Sequence, residues 1–489
     1  MKKPRNTGAL KAFFALFLTV LLCLSSCASH GGLGNTDSDF SLSGIDVVVP
    51  DSPQVQKDVL PSDMLSDFKI LRENGRENAF LVSEESADLI EYATFERNTA
   101  LAADYGLQMS EIVTGDIVSR VRNEALAENC SFDMLILSAA SASSLITSGA
   151  LADLNAMQGF DTASDGYSQK ITEELSFGES TYLVTGDATP SLMLSLSCVL
   201  LNTGISGKLE KNSRLYDITG GHDLLTLAAN GGFTTDIMLA LSRAASDISG
   251  NSLSDAEAAS SYIKVSSDQA LPLFLGSGFS FYDSDAVTGV LTPSAFGSAF
   301  GDIYLTLEKL YGIDEENGSF YSQSSSSPLF TVSNIQEFIA LLREGSPFLP
   351  LPMPKYSASD DPYFCTADLR ATAFTALPSG KEDNENALLV MNLIYSASAG
   401  ISAAPRTLLL KNVSESLNSE SADKATEVFD IIQSSAGTDK TLFSDFSDLY
   451  GFFESCIEER KTRKAFLLQG AERASAAVTA LSIMTERLQ

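Results

Sequence analysis

The sequence predicts an α/β protein of two lobes, each a mainly parallel sheet flanked by helices, joined by crossings of the chain. Three observations carry this. From Phe68 to Leu154 short apolar runs alternate with amphipathic segments, the pattern of a parallel sheet covered by helices. At 489 residues the chain is too long for one compact core. The stretch Phe348-Leu349-Pro350-Leu351-Pro352-Met353-Pro354 places proline at alternate positions, which removes ladder donors and excludes a central strand. It reads as an extended crossing between lobes.

Taken in order, Lys2, Lys3, Arg5 and Lys11 form a positive leader, and Ala12–Leu22 is an apolar run too short to span a bilayer. It ends in Leu24-Ser25-Ser26-Cys27, which resembles a bacterial lipobox. That resemblance implies cleavage after residue 26 and a lipid-modified Cys27 that holds the protein at the outer face of the cell membrane. Residues 27–65 are rich in Ser, Gly, Asp and Pro and lack helical periodicity, so they read as a flexible tether.

The first lobe then opens on the strand Phe68–Leu71, followed by a helix over Ser86–Ala103, a strand-like Tyr105–Val113 and a helix over Gly115–Ala127. Met134-Leu135-Ile136-Leu137 is apolar throughout, the composition of a strand buried on both faces. Ser138 to Ser144 are all Ser or Ala, and Leu145 and Ile146 enter a short helix that Gly149 can close. A strand, a small-residue loop and a helix start put amide donors at the carboxyl edge of the sheet, where open α/β sheets hold ligands.

Tyr182–Asp187 and the apolar run Leu192–Leu201 suit chain leaving one lobe for another. Helices are expected over Leu215–Ala228, Thr234–Ile248, Phe300–Leu310 and Ile335–Arg343. After the proline-rich return come a strand region over Phe364–Leu377 and helices over Asn384–Ala399, Ala422–Gln433 and Gly451–Leu488. The first lobe is thus expected from 66–180 with 348–432, the second from 181–347 with 433–489.

Composition excludes several classes of function. A formal charge of −31 is wrong for nucleic acid and for electrostatic adhesion to an anionic bilayer, so any membrane contact is expected through the lipid alone. His222 is the one histidine past the leader and tether, which leaves little from which to build a His-dependent triad or a His-ligated zinc site. Cys130, Cys198, Cys365 and Cys456 are widely spaced without a Cys-x-x-Cys pair, and spacing leaves open two disulfides or four free thiols. There is no Gly-x-Ser-x-Gly nucleophile elbow.

The order of features resembles the family-one extracellular solute-binding proteins of bacterial ABC importers, whose fold is the type II periplasmic-binding-protein fold. The matching points are Phe132-Asp133-Met134-Leu135 with Gly149-Ala150-Leu151-Ala152-Asp153-Leu154; Tyr182–Asp187 with Leu200-Leu201-Asn202; Gly232-Phe233-Thr234; and Pro352-Met353-Pro354-Lys355-Tyr356. The resemblance implies a monomeric, non-enzymatic receptor that closes by hinge motion on a small solute, a carbohydrate, and presents it to permease subunits, without a cofactor. The chain has no Trp, so any sugar stacking would fall to Phe or Tyr. Ser246-Asp247-Ile248-Ser249-Gly250-Asn251 lacks the alternating oxygen ligands of a calcium loop, and no metal is expected.

Candidate ligand contacts are side chains at strand ends facing the cleft. They are Ser138 and Ser141 on the first lobe, Asp187, Tyr363 and Arg370 at the hinges, and Phe233, Phe279 and Tyr282 on the second. Phe233 and Phe279 suit a core equally, Ser141 a helix cap, Asp187 a hinge turn, and Arg370 an ion pair with Asp368. The alternative function is a binding-fold surface lipoprotein that acts in sensing or surface interaction without transport.

Overall fold

The structure, a computed structural model, describes residues 60–488 except 78, 83, 85, 87, 285–290, 315–318, 322–326, 359–360 and 444–447. The leader, Cys27 and the tether up to residue 59 lie outside the described residues. The end of the expected tether belongs to the folded part. Leu60 and Leu65 sit in the first-lobe core, Leu65 closing the short helix Ser62–Leu65.

Two four-stranded sheets are built from β1 (Phe68–Glu73), β2 (Met109–Thr114), β3 (Met134–Leu137), β4 (Ser197–Asn202), β5 (Ile263–Lys264), β6 (Phe330–Asn334), β7 (Phe348–Leu351) and β8 (Phe374–Ala376). The first has the order β8-β3-β1-β2. Its β1 runs parallel to both neighbours, with Phe68 opposite Met109 and Ile70 opposite Met134. All four side chains of β3 are fully buried, as its unbroken apolar run requires. The helix Asn384–Ser398 packs on the helix Leu89–Tyr105 beside this sheet, and its apolar length is absorbed by the core.

The second sheet has the order β7-β4-β6-β5 and is mixed. Its central β4 is antiparallel to both β6 and β7. The reason is topological: β4 brings the chain into this lobe and β7 takes it out, so the two adjacent strands run in opposite directions. Pro350 is accommodated because β7 lies at the sheet edge.

The crossings are stitched together. Val184 bridges Thr375, Leu196 bridges Ala367, and Cys365–Thr366 pairs in parallel with Ala436–Gly437 of a third crossing. Two glycines fix the outgoing turn. A Cβ on Gly166 (φ +87) would lie 2.0 Å from the Tyr395 carbonyl oxygen, and one on Gly186 (φ +154) 2.2 Å from that of Gly166.

Several elements differ from expectation for local reasons. The run Leu192–Leu201 is a helical turn, Ser191–Leu194, and then β4, because Pro190 already has αR backbone angles (φ −64, ψ −7). The helix expected over Leu215–Ala228 breaks at Gly220–Gly221 into Arg214–Thr219 and Leu224–Ala229. The C-terminal helix is two, Leu449–Glu458 and Arg463–Leu488. The helices Ala404–Ser416 and Ser419–Ser434, in the stretch expected to end the first lobe, pack on the second-lobe side. Ser419–Ser434 lies against β7 and Leu224–Ala229, with the Phe429 ring 6.4 Å from that of Phe338.

Candidate functional site

The first-lobe side of the site is set by the carboxyl ends of β1 and β3. Ser138 follows β3 directly and caps the nine-residue helix Ala139–Thr147, its Oγ accepting from the Ser141 amide at 3.2 Å. Glu73, the last residue of β1, receives both serines: the Ser138 amide donates to its Oε2 at 2.6 Å and the Ser141 hydroxyl to its Oε1 at 2.9 Å. One carboxylate thereby locks the loop between β3 and its helix against the neighbouring strand.

The opposite side comes from the crossings and the helix Leu449–Glu458, which packs on the second-lobe helix Ala270–Gly276. Arg370 sits in the turn between Cys365–Thr366 and β8. Its Nε and Nη2 donate to Asp368, each at 3.2 Å, and its Nη1 to Glu454 at 3.0 Å. The guanidinium lies 4.0 Å from the Tyr450 ring centroid. Arg76, just beyond β1, donates to the Arg370 carbonyl. Between these walls is a cavity of about 280 Å³ whose lining includes Arg76, Ser138, Arg370, Asp448, Tyr450 and Glu454.

Burial works against the Arg370 charge, but the bonds to Asp368 and Glu454 outweigh it and raise its pKa. Burial and the Asp368 charge push the Tyr450 hydroxyl up, so it is a neutral phenol at physiological pH. The cavity therefore offers donors from Arg76 and from the helix start at Ser138–Ala140, acceptors from Asp448 and Glu454, and an aromatic ring, with cations and acids near balance. Such a mixture suits a neutral, hydroxyl-rich molecule. No histidine or cysteine lines it. Among the described residues no group of three or more His, Cys, Asp or Glu side chains is arranged to hold a metal.

A second polar cluster lies at the third crossing. Asp439 is buried and accepts from the Ser280 hydroxyl (3.1 Å), the Phe281 amide (3.0 Å) and the Thr441 amide and hydroxyl (3.0 and 2.5 Å). Glu174 accepts from the Thr438 amide at 2.8 Å. Burial raises the pKa of both carboxyls. Lys440 stands over the Phe177 ring at 4.5 Å, and burial lowers its pKa to about 8.

Of the expected site residues, Ser138 and Arg370 line the one cavity, and Ser141 stands behind it on Glu73. Asp187 accepts from the Gly400 amide at 2.6 Å and ties the outgoing crossing to the chain after Asn384–Ser398. Phe233 is fully buried, 6.1 Å from Phe330, and its amide donates to the Tyr363 hydroxyl at 2.9 Å. Phe279 packs on Phe274 and Phe300, and Tyr282 stands beside the Asp439 cluster, its pKa raised to about 12 by burial and by Asp439. Cys27 is outside the described residues. Cys130, Cys198, Cys365 and Cys456 are free thiols. Arg76, Asp448, Tyr450 and Glu454 are cavity residues that sequence reasoning missed. The strand-end rule that singled out Ser138 applies equally to Arg76, whereas nothing local marks the other three.

No family model matches the chain, and no curated protein matches it. Many solved structures share its fold, among them two sugar-transport receptors. One is the galacto-N-biose/lacto-N-biose I-binding protein of the ABC transporter from Bifidobacterium longum, in complex with lacto-N-biose. It is 12% identical, with a TM-score of 0.51 over 85% of this chain and 97% of that one. The other is the GacH receptor of Streptomyces glaucescens, solved unliganded and with acarbose and an acarbose homologue. It is 11% identical, with a TM-score of 0.51 over 85% of this chain and 99% of that one. The fold is that of the two-lobed periplasmic binding proteins. In this fold the cavity between Ser138 and Tyr450 lies where strand ends of one lobe face a helix packed on the other.

Proposed function

We propose that the protein is an extracytoplasmic receptor that captures a small neutral carbohydrate by closing its two lobes and delivers it to an ABC importer. A lipid on Cys27 would hold it at the membrane. One observation carries the reading: a cavity lined from the first lobe by Ser138 and Arg76, from the crossings by Arg370, and from the second-lobe side by Tyr450 and Glu454. A ligand shifts a two-state equilibrium only by its differential contacts, and one touching all three would favour the closed arrangement. The sugars bound by the two structural neighbours support the solute class.

The test is a thermal-shift screen of the protein against mono- to tetrasaccharides, with amino acids and short peptides in parallel. The reading expects at least one saccharide to raise the melting temperature with a concentration dependence set by mass action, and Tyr450→Ala to abolish the shift. Amino acids or peptides as the sole stabilisers would replace the solute class. Hydrolysis of a saccharide, lost on substituting one acidic residue, would make the protein an enzyme instead.

A further inference from the structure

Beyond its place on the cavity, the turn that follows β1 reaches both crossings of the hinge. Arg76 donates to the carbonyl of Arg370 in the return crossing. The next residue, Glu77, accepts from the Ser191 amide of the outgoing crossing at 3.3 Å. Ser191 in turn accepts, at its Oγ, from the Ala373 amide of the return crossing at 3.0 Å. Nearby, Thr185 donates to the Ala373 carbonyl at 3.2 Å, and the Ser195 and Thr372 hydroxyls meet at 3.3 Å. Two consecutive residues thus grip the outgoing and the return strands of the hinge at the point where those strands are bound to each other.

Glu77 holds this position at a cost. Its φ of +29° is left-handed, which a residue with a Cβ adopts only under constraint from its surroundings. Burial raises the pKa of its carboxyl, offset in part by the bonds from Ser191 and by the charges of Arg97 and Arg72. A strained, desolvated carboxylate survives in a turn when the bonds it makes are worth more than the strain. Its carbonyl accepts from the Phe80 amide of its own turn at 3.1 Å, and its side chain is bonded to the hinge.

We propose that Arg76–Glu77 is a hinge clamp that sets the resting angle between the lobes and couples it to the cavity. Arg76 lines the cavity and binds the return crossing with the same guanidinium. A solute that draws the Arg76 guanidinium into the cavity pulls it from the Arg370 carbonyl and loosens the clamp on one strand, while Glu77 keeps hold of the other through Ser191. The lobes then turn about the outgoing crossing. This coupling rests on the cavity being the solute site, but the clamp itself acts without solute and is tested without it.

The experiment measures the distance between nitroxides on Leu126→Cys and Leu468→Cys by pulsed electron resonance, in a Cys130→Ser background, with no ligand added. Leu126 and Leu468 are 84% and 69% exposed, one on the first lobe and one on the C-terminal helix. The clamp predicts a single narrow distribution for the parent, and a shifted, wider one for Glu77→Ala and for Arg76→Ala. Lys381→Met, which breaks the Lys381–Asp133 pair of the first lobe without touching a crossing or the Arg76–Glu77 turn, should leave the parent distribution intact. Should Glu77→Ala fail to fold by circular dichroism, Arg76→Ala decides alone. Parent-like distributions in the clamp variants overturn the proposal, and so does equal broadening in Lys381→Met, which would mean general loosening of the first lobe. Neither result bears on whether a saccharide binds.

Discussion

The two lobes are held together by different chemistry. The first-lobe core is mainly aliphatic: Ile70, Met134, Ile136, Leu388, Met391, Leu393 and Ile394 are fully buried around a sheet whose β1 and β3 run parallel. The second-lobe side is packed with phenylalanine. Phe274 alone has the rings of Phe279, Phe281, Phe300, Phe453 and Phe466 within 4.8–6.1 Å. These rings come from segments nearly 200 residues apart, so this core forms only when the C-terminal helices dock. The first lobe also joins distant segments, since Leu388–Ile394 return to the sheet of Ile70 and Met134, but its strand-end loops of the site come from one continuous stretch. The second carries Tyr450 and Glu454 on one of the late helices.

The largest predicted effect tests that difference directly. Phe274→Ala should cost about 3–5 kcal/mol in urea unfolding, because it opens a cavity lined by rings that cannot relax into it. Ile136→Val, one methyl from the aliphatic core, should cost only about 1 kcal/mol. A cost below about 2 kcal/mol for Phe274→Ala would mean that the surrounding rings close over the gap and that the aromatic cluster is loosely packed.

At the join between lobes, Gly186→Ala should cost roughly 2–4 kcal/mol, combining the strain of a φ that side chains avoid with a clash against the Gly166 carbonyl. A loss below 1 kcal/mol by the same measurement would mean that the outgoing turn is looser than its geometry implies.

Lys440 gives a prediction of opposite sign. Its pKa falls from 10.5 to about 8 on folding, so between those values the unfolded chain binds the extra proton and stability rises with pH. Below pH 8 the buried charge costs up to roughly 3 kcal/mol, reduced by whatever water reaches it. Lys440→Met should therefore raise the melting temperature at pH 7, with a gain that shrinks above pH 8 and vanishes past pH 10.5. A gain independent of pH would assign the effect to packing.

The smallest stability effect is expected at the site. The Arg370–Glu454 pair is partly exposed (45% and 31%), so Glu454→Gln should cost less than about 1 kcal/mol of stability. Calorimetric titration should nonetheless show weaker binding of whichever saccharide stabilises the parent, because the variant loses an acceptor on the cavity wall.

Legibility follows the same division. The run Met134–Leu137, the Ser/Ala loop and the helix after it could be read because strand, cap and helix are adjacent in sequence, and Ser138 was placed by that rule. Arg370 was legible as a hinge residue because the proline-rich return announces the crossing. The sequence suits Phe233 and Phe279 to a stacking wall or to a core, and the structure packs them on Phe330 and Phe300. An aromatic residue carries no local sign of which side of a lobe it faces. Tyr450 and Glu454 gave no signal at all, since a helix near the C-terminus reaches the cavity only through tertiary docking. Glu77 was hidden for another reason: its carboxyl meets the Ser191 amide, 114 residues away, only once the crossings are in place.

The most direct test of the account is a crystal structure of the protein with the saccharide that most raises its melting temperature. The account predicts density in the cavity between Ser138 and Tyr450, in contact with Arg76 and Arg370. Density instead in the open groove of Arg406, Asp423 and Asp430, between the helices Ala404–Ser416 and Ser419–Ser434, would contradict it.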